Sequence, residues 1–218
     1  MPESGRVPEP TLSRLSGYLR CLRRLAKEGV RTISSATMER RCGVAAVQIR
    51  KDLSYFGEFG RPGIGYNVQE LVGRIAHILK LENEQRVLLV GAGNLGSAIV
   101  GYPGLRSQNF HIVAVFDNNY NKIGRRLWDL EIRDVAELRE RNRELRARIA
   151  IIAVPAAAAQ GVAEALVDAD VKAILNFAPV TLKLAPGVAA RNVDFVQELA
   201  VLSFHVADED LPEGSSVA

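Results

Sequence analysis

The chain opens on an apolar stripe. Leu12, Leu15, Leu19, Leu22 and Ala26 recur at three- and four-residue steps, which predicts a helix over about 11–27 with one buried face. Arg14, Arg20, Arg23 and Arg24 lie off that stripe, and Gly29 is placed to close the helix. Ser35 is placed to cap a second helix over 36–42, after which Gly43 and Val44 turn the chain. A third helix is predicted over 46–56. Val47, Ile49, Leu53 and Phe56 are expected inside, with Gln48, Arg50, Lys51, Ser54 and Tyr55 outside. Glycines alternate with aromatics over 57–66, as a tight hairpin requires. Leu71, Ile75, Ile78 and Leu79 mark a fourth helix over 69–81, and the polar stretch Glu82-Asn83-Glu84-Gln85 is the expected boundary of a first domain, 1–84.

Beyond that boundary the period changes. Continuous apolar runs at 87–90, 112–116, 149–154 and 173–177 have the pattern of strands buried on both faces. Helical segments lie between them at 95–102, 135–143 and 157–168. Strands alternating with helices imply a parallel sheet with right-handed crossovers. The expected fold class is therefore α/β, with a helical unit followed by a Rossmann-like domain over 85–193. One more helix is expected over 194–206, then an acidic, disordered tail over 207–218.

Charge sharpens this division. Residues 1–84 hold 14 Lys/Arg against 9 Asp/Glu, whereas 85–218 hold 14 against 16, within an overall formal charge of +3. A basic first part and a slightly acidic second part suggest different partners. No run of 18 apolar residues exists, so no membrane span is expected. The polar start of the chain does not read as a signal peptide. Cys21 and Cys42 show no zinc spacing and read as reduced thiols of a cytoplasmic protein without a metal site.

The most informative motif is Gly91-Ala92-Gly93-Asn94-Leu95-Gly96, directly after the first apolar run. The first glycine permits a tight turn, the second lets backbone approach a pyrophosphate, and the third allows close helix–strand packing. The following helix N-terminus offers free N–H groups to phosphates. Asp117 ends the next strand, 21 positions after Gly96, where an acid accepts bonds from the adenosine ribose. A carboxylate there favours NAD(H) over NADP(H). Val154, Pro155, Asn176, Ala178 and Pro179 fall at the carboxyl edge of the predicted sheet, where ligands of such folds sit.

Three short helices and a hairpin make a winged helix, a helix-turn-helix variant. Its third helix would offer Gln48, Arg50, Lys51, Ser54 and Tyr55 to a major groove, and Arg61 would lie on the wing. The bland reading of Arg50 and Lys51 is a solvated helix face.

Here the chain resembles a known family, the bacterial redox-sensing transcriptional repressors called Rex. The resemblance covers about residues 11–206. It rests on Ser13-Arg14-Leu15-Ser16-Gly17-Tyr18-Leu19-Arg20, Ser34-Ser35 and Ile49-Arg50-Lys51-Asp52-Leu53-Ser54-Tyr55-Phe56-Gly57. Gly63-Ile64-Gly65-Tyr66, the 91–96 loop, Gly101-Tyr102-Pro103-Gly104 and Phe116-Asp117 extend it. Ile174-Leu175-Asn176-Phe177-Ala178-Pro179 and Asn192-Val193-Asp194-Phe195 complete it. The resemblance implies a homodimer that binds palindromic double-stranded operator DNA and is released by NADH, with NAD⁺ competing for the same pocket. It implies that the helix over 194–206 is swapped onto the partner subunit. It also raises Arg20, Tyr102 and Asp194 from ordinary surface groups to a candidate switch, with Tyr102 and Phe195 expected near the nicotinamide. The alternative for Phe195 is plain core packing. Two departures stand out. Ala45 replaces the Ser or Thr common before the third helix, so that helix is expected to lack an N-cap contribution of about 1 kcal/mol. Pro62 replaces a basic or polar residue at the wing tip.

A dehydrogenase is the main alternative. It would need a substrate domain and a proton-handling group beside the nicotinamide. The chain from Gln85 is taken up by one Rossmann-type domain; His77 falls in a helix before it, His111 starts a strand at the edge away from the ligand, and His205 lies near the end, where it is expected to pack or face solvent. Lys172 and Lys183 have no evident pairing group. A CoA- or other nucleotide-binding adaptor is the third reading. The sequence therefore predicts a regulator and not an enzyme.

Overall fold

The structure is a computed structural model that describes residues 7–57, 59–60 and 64–207. It divides into two compact units, Met1–Glu84 and Gln85–Ala218.

In the first unit, α1 (Glu9–Lys27) packs on α4 (Val68–Ile78), and α2 (Ser35–Cys42) packs on α3 (Ala46–Ser54). Leu15, Leu19 and Leu22 of α1 are buried as the stripe predicts. Leu12 instead faces solvent, and Tyr18 and Leu25 complete the buried face. The core is closed by Met38, Ile49, Leu53, Leu71 and Ile75. Ser34, not Ser35, caps α2, accepting the Thr37 N–H at 3.1 Å, and Gly43 ends that helix in the left-handed region at φ 71°. The helix α3 has no cap from Ala45, yet its first N–H is not orphaned. Glu39 reaches across from α2, and its Oε2 accepts the Ala46 N–H at 3.2 Å.

Val47, expected inside, is 69% exposed, because Ile49, Asp52 and Leu53 set the buried side of α3 and Val47, two residues before Ile49, falls on the opposite side. The segment expected as a hairpin contributes β2 (Tyr66–Asn67), which pairs antiparallel with β1 (Thr32–Ile33). Glu58, Arg61, Pro62 and Gly63, and with them the expected wing tip, lie outside the described residues.

The second unit is built on a seven-stranded sheet. Its strands are β3 (Gln85–Val90), β4 (Phe110–Asp117), β5 (Arg126–Leu127), β6 (Leu130–Asp134), β7 (Ile149–Ile152), β8 (Ala173–Asn176) and β9 (Ala189–Asn192), in the order β5-β6-β4-β3-β7-β8-β9. All neighbours pair in parallel except β5 and β6, which form a short antiparallel hairpin. Counting from β3, the six parallel strands run 3-2-1-4-5-6, the doubly wound dinucleotide-binding order. Side chains of β3 alternate between two cores, Leu88 and Val90 on one face, Val87 and Leu89 on the other. Both faces are therefore covered, which is why these strands read as unbroken apolar runs.

The connecting helices are α5 (Asn94–Val100), α6 (Pro103–Arg106), α7 (Leu138–Leu145), entered by a single tighter turn at Val135–Glu137, and α8 (Ala156–Asp168). The apolar pattern did not disclose β5, β6, β9 or α6. Of these β9 is an exposed edge strand of Ala, Arg and Asn, with no buried face to mark it. The last helix, α9 (Phe195–Ala207), is different from the rest. Every large apolar side chain on it from Phe195 to Val206 is more than half exposed. The expected tail beyond it lies outside the described residues.

Candidate functional site

A cavity of about 550 Å³ opens at the carboxyl edge of β3, β4 and β7, where the strand order reverses. Its walls include Gly91, Gly93, Asn94 and Leu95 of the glycine loop, together with Asp117, Val154 and Pro155. The size suits a ligand pocket of the usual range. Gly91 sits at φ 109°, and a Cβ there would run into the Ala153 carbonyl. Gly96 is pressed against the Gly91 carbonyl in the same way, so the loop and α5 close on the strand without side chains. Nothing lies within 4 Å of a Cβ at Gly93, which leaves open space over the backbone there. The first N–H groups of α5 carry no side-chain cap and face that space. Ala92 is buried beneath the loop.

Asp117 anchors the other wall. Its Oδ2 accepts the Ala92 N–H at 2.8 Å and the Lys122 ammonium at 3.0 Å, while Oδ1 accepts the Asn119 N–H at 2.9 Å. Burial alone would raise its pKa, but these donors outweigh burial and hold the carboxyl below the usual range. Lys122, which also lines the cavity with Asn118 and Asn119, was not legible as a site residue. Its signal is its position five residues after the strand-ending acid. It offsets part of the charge with which Asp117 would repel a 2′-phosphate.

Other predicted pocket residues are not brought to this wall. Tyr102 sits at the junction of α5 and α6, 62% exposed, beside Val100, Leu105 and Phe110. The Asn176 amide is fully buried and internally engaged. It donates to the Ala178 and Val180 carbonyls and to Asn192 Oδ1, and accepts the Ala178 N–H. Ala178 is buried and Pro179 exposed. Phe195 packs its ring 6.0 Å from that of Phe177. Asp194 uses Oδ1 on the Val196 and Gln197 N–H groups, capping α9, and Arg20 is exposed on α1.

In the first unit, α3 presents an exposed face of Val47, Arg50, Lys51, Ser54 and Tyr55. Arg50 donates to Ser35 Oγ at 2.8 Å, and Ser54 donates to the Lys51 carbonyl. The Lys51 ammonium has no partner among the described residues. Gln48 is not free. Its amide donates to Asp52 Oδ1 at 2.8 Å, in a cluster that seals the back of the helix. Asp52 is fully buried and takes Arg14 through two bonds of 2.6 and 2.7 Å, the Tyr18 hydroxyl at 2.8 Å and the Thr11 hydroxyl at 3.3 Å. Burial pushes this carboxyl up, but Arg14, Tyr18 and Gln48 bring it down to about 2. Behind the same core, burial and a hydrogen bond with Cys21 push the Cys42 thiol up to about 12, which makes it a poor nucleophile. Among the described residues no cluster of His, Cys, Asp or Glu is arranged to hold a metal, and no helix is long and apolar enough to cross a membrane.

A helical unit with an exposed reading helix, joined to a unit with a dinucleotide cradle, defines a ligand-responsive transcription regulator. The comparisons agree on each part. A family described as "Putative DNA-binding protein N-terminus" matches residues 6–54, and one described as "CoA binding domain" matches residues 82–180. A redox-sensing transcriptional repressor Rex from Carboxydothermus hydrogenoformans is 49% identical over 201 residues, 92% of this chain and 97% of the relative. The solved structure of RSP in complex with β-NAD⁺ and operator DNA superposes with a TM-score of 0.88 at 37% identity, covering 94% of each chain. That of RSP in complex with β-NADH superposes with a TM-score of 0.84 at 35% identity, over 94% of this chain and 96% of the other. The chain belongs to the redox-sensing transcriptional repressor Rex family.

Proposed function

We propose that this protein binds palindromic operator DNA as a homodimer, that NADH occupies the cavity at the 91–96 loop and releases it, and that NAD⁺ competes for the same cavity. The observation that carries this reading is the uncapped start of α5 above the open backbone of Gly93, facing Asp117 across a cavity at the switch point of the sheet. That arrangement suits a pyrophosphate at the helix N-terminus and a ribose at the acid. The relatives solved with β-NAD⁺ and operator DNA, and with β-NADH, support the same pairing of ligands.

On DNA, Arg50, Lys51, Ser54 and Tyr55 are the base- and phosphate-reaching residues of α3, with Arg61 on the wing. Val47 joins them, because an exposed apolar group on a reading helix suits a thymine methyl. Gln48 is committed to Asp52, and we assign it to holding the helix and not to reading bases.

The dimer rests on α9. A helix that carries large apolar side chains round most of its surface belongs inside a core, and those of α9 are exposed in the single chain, which supports its insertion into a partner subunit. In that assembly Tyr102, Asp194 and Arg20 form the switch, and Phe195, Asn176, Ala178 and Pro179 shape the nicotinamide end of the pocket. The bound dinucleotide is a signal and not a hydride donor to a substrate, and the protein acts in the cytoplasm.

The test is fluorescence anisotropy with DNA that the protein itself selects from a random pool, titrated with NADH, NAD⁺ and NADPH at fixed salt, since phosphate contacts make affinity salt-dependent. NADH alone should weaken binding strongly. No DNA selected, or equal release by all three, would remove the proposal. Turnover of NADH with a carbonyl substrate would restore the dehydrogenase reading.

A further inference from the structure

At the edge of the sheet where β7 and β8 begin, opposite the dinucleotide cavity, α7 ends at Leu145 and α8 at Asp168. A groove of about 400 Å³ lies there, lined by Arg139, Arg143, Arg146, Arg148, Asp168 and Asp170 among others. Arginines near helix C-termini ordinarily answer exposed carbonyls. Here four carbonyls at and just past the two helix ends are answered by groups other than the side chains of Arg139, Arg143 and Arg146. Arg86 donates to the Leu145 carbonyl at 3.0 Å, and Arg148 donates to that of Asp170 at 3.1 Å. The buried Asn142 amide donates to the carbonyls of Ala147 and Ala169 at 3.0 and 2.7 Å.

The carboxylates nearby are mostly taken as well. Asp170 is bridged by Arg148 and by Lys172 at 2.8 Å, Glu137 by Arg133, and Glu144 by Arg141. Asp168 is the one lining carboxylate without a cation among the described residues. Three guanidiniums, those of Arg139, Arg143 and Arg146, line one groove with no hydrogen-bond or ion-pair partner among the described residues. Arg146 is held in place by its left-handed backbone, φ 53°, and by its N–H on the Asn142 carbonyl at 2.7 Å.

We propose that this groove is a second ligand site of the α/β unit and takes a small phosphate-bearing anion. Planar guanidinium forks match phosphoryl oxygens, and several together bind a di- or polyanion better than a chloride. The concave shape suits a small molecule, whereas duplex backbone is usually met by protruding cations. The site shares no residue with the dinucleotide cavity, so a ligand in one does not displace a ligand from the other.

The test uses inorganic pyrophosphate and the full chain, with the arginine side-chain N–H resonances followed by nuclear magnetic resonance at constant ionic strength. Those of Arg139, Arg143 and Arg146 should shift together and saturate with one affinity. Arg143→Gln with Arg146→Gln should weaken that affinity at least about tenfold, and Arg143→Lys with Arg146→Lys should restore only part of it. Shifts that never saturate, that chloride reproduces, or that persist in the double Gln variant would overturn the proposal. So would a double Gln variant that loses operator affinity when the wild type shows no saturable pyrophosphate binding, an outcome that assigns these arginines to DNA.

Discussion

Each unit of this protein buries one strategic aspartate, and the two are used in opposite ways. Asp52 is sealed completely, and its partners among the described residues are all side chains, from Thr11, Arg14, Tyr18 and Gln48. They come from two helices that the carboxylate thereby locks together. Asp117 keeps 8% of its surface, stands on a cavity wall, and is held by two backbone N–H groups and one lysine. The first arrangement fixes a helix and leaves nothing for a ligand. The second fixes a loop and still faces open space. Depth of burial and kind of donor, not residue type, separate a structural acid from a binding one.

The largest effect should come from breaking the sealed cluster. Asp52→Asn strands Arg14 and Tyr18 without the charge they answer, and should destabilise the first unit by roughly 3 kcal/mol in chemical denaturation. Because folding lowers this pKa from 3.8 to about 2, its stabilisation is present above pH about 4 and is lost as pH falls toward 2. Acid titration of the wild type should show that loss, and the Asn variant should lack it. Asp117→Asn, by contrast, keeps one acceptor oxygen and should cost about 1–2 kcal/mol in denaturation, less than Asp52→Asn, while weakening NADH binding about tenfold or more in calorimetry. Equal stability losses from the two substitutions would erase the distinction drawn above.

A smaller effect should separate Lys122 from Asp117. Removing the ammonium in Lys122→Ala leaves the acid's charge uncovered, so preference for NADH over NADPH should rise about fivefold in competition binding. A fall would mean that Lys122 itself contacts the ribose of the bound dinucleotide. The smallest effect belongs to the reading face. Val47→Ala should relax selection of one T·A pair in operator selection by about 0.5–1 kcal/mol, with non-specific affinity unchanged.

The difference between the units also explains what was legible in advance. The glycine loop, its strand and the acid at the next strand end are constrained within about thirty residues, and local spacing discloses them. The Gln48 contact, the Glu39 cap on α3 and the orientation of Val47 depend on how one helix sits against another. Gln48 reads as an outward polar residue by periodicity, yet the carboxylate of Asp52 one turn later turns it inward. The missing cap at Ala45 reads as a loss, yet a residue of the preceding helix makes it good. Neither fact has a periodic signature.

The sequence by itself determined the two-unit order, the alternation of strand and helix, the cradle at residues 91–96 and the acid opposite it. It did so because turn chemistry and apolar period are local properties. Only the tertiary structure decided which polar residues are free to act. It put Gln48 and Asn176 into closed hydrogen-bond networks, and set Lys122 against Asp117. It brought three arginines together along one groove and left the apolar side chains of α9 exposed. Those outcomes depend on which partners meet across elements distant in the chain, and spacing along a sequence does not encode them.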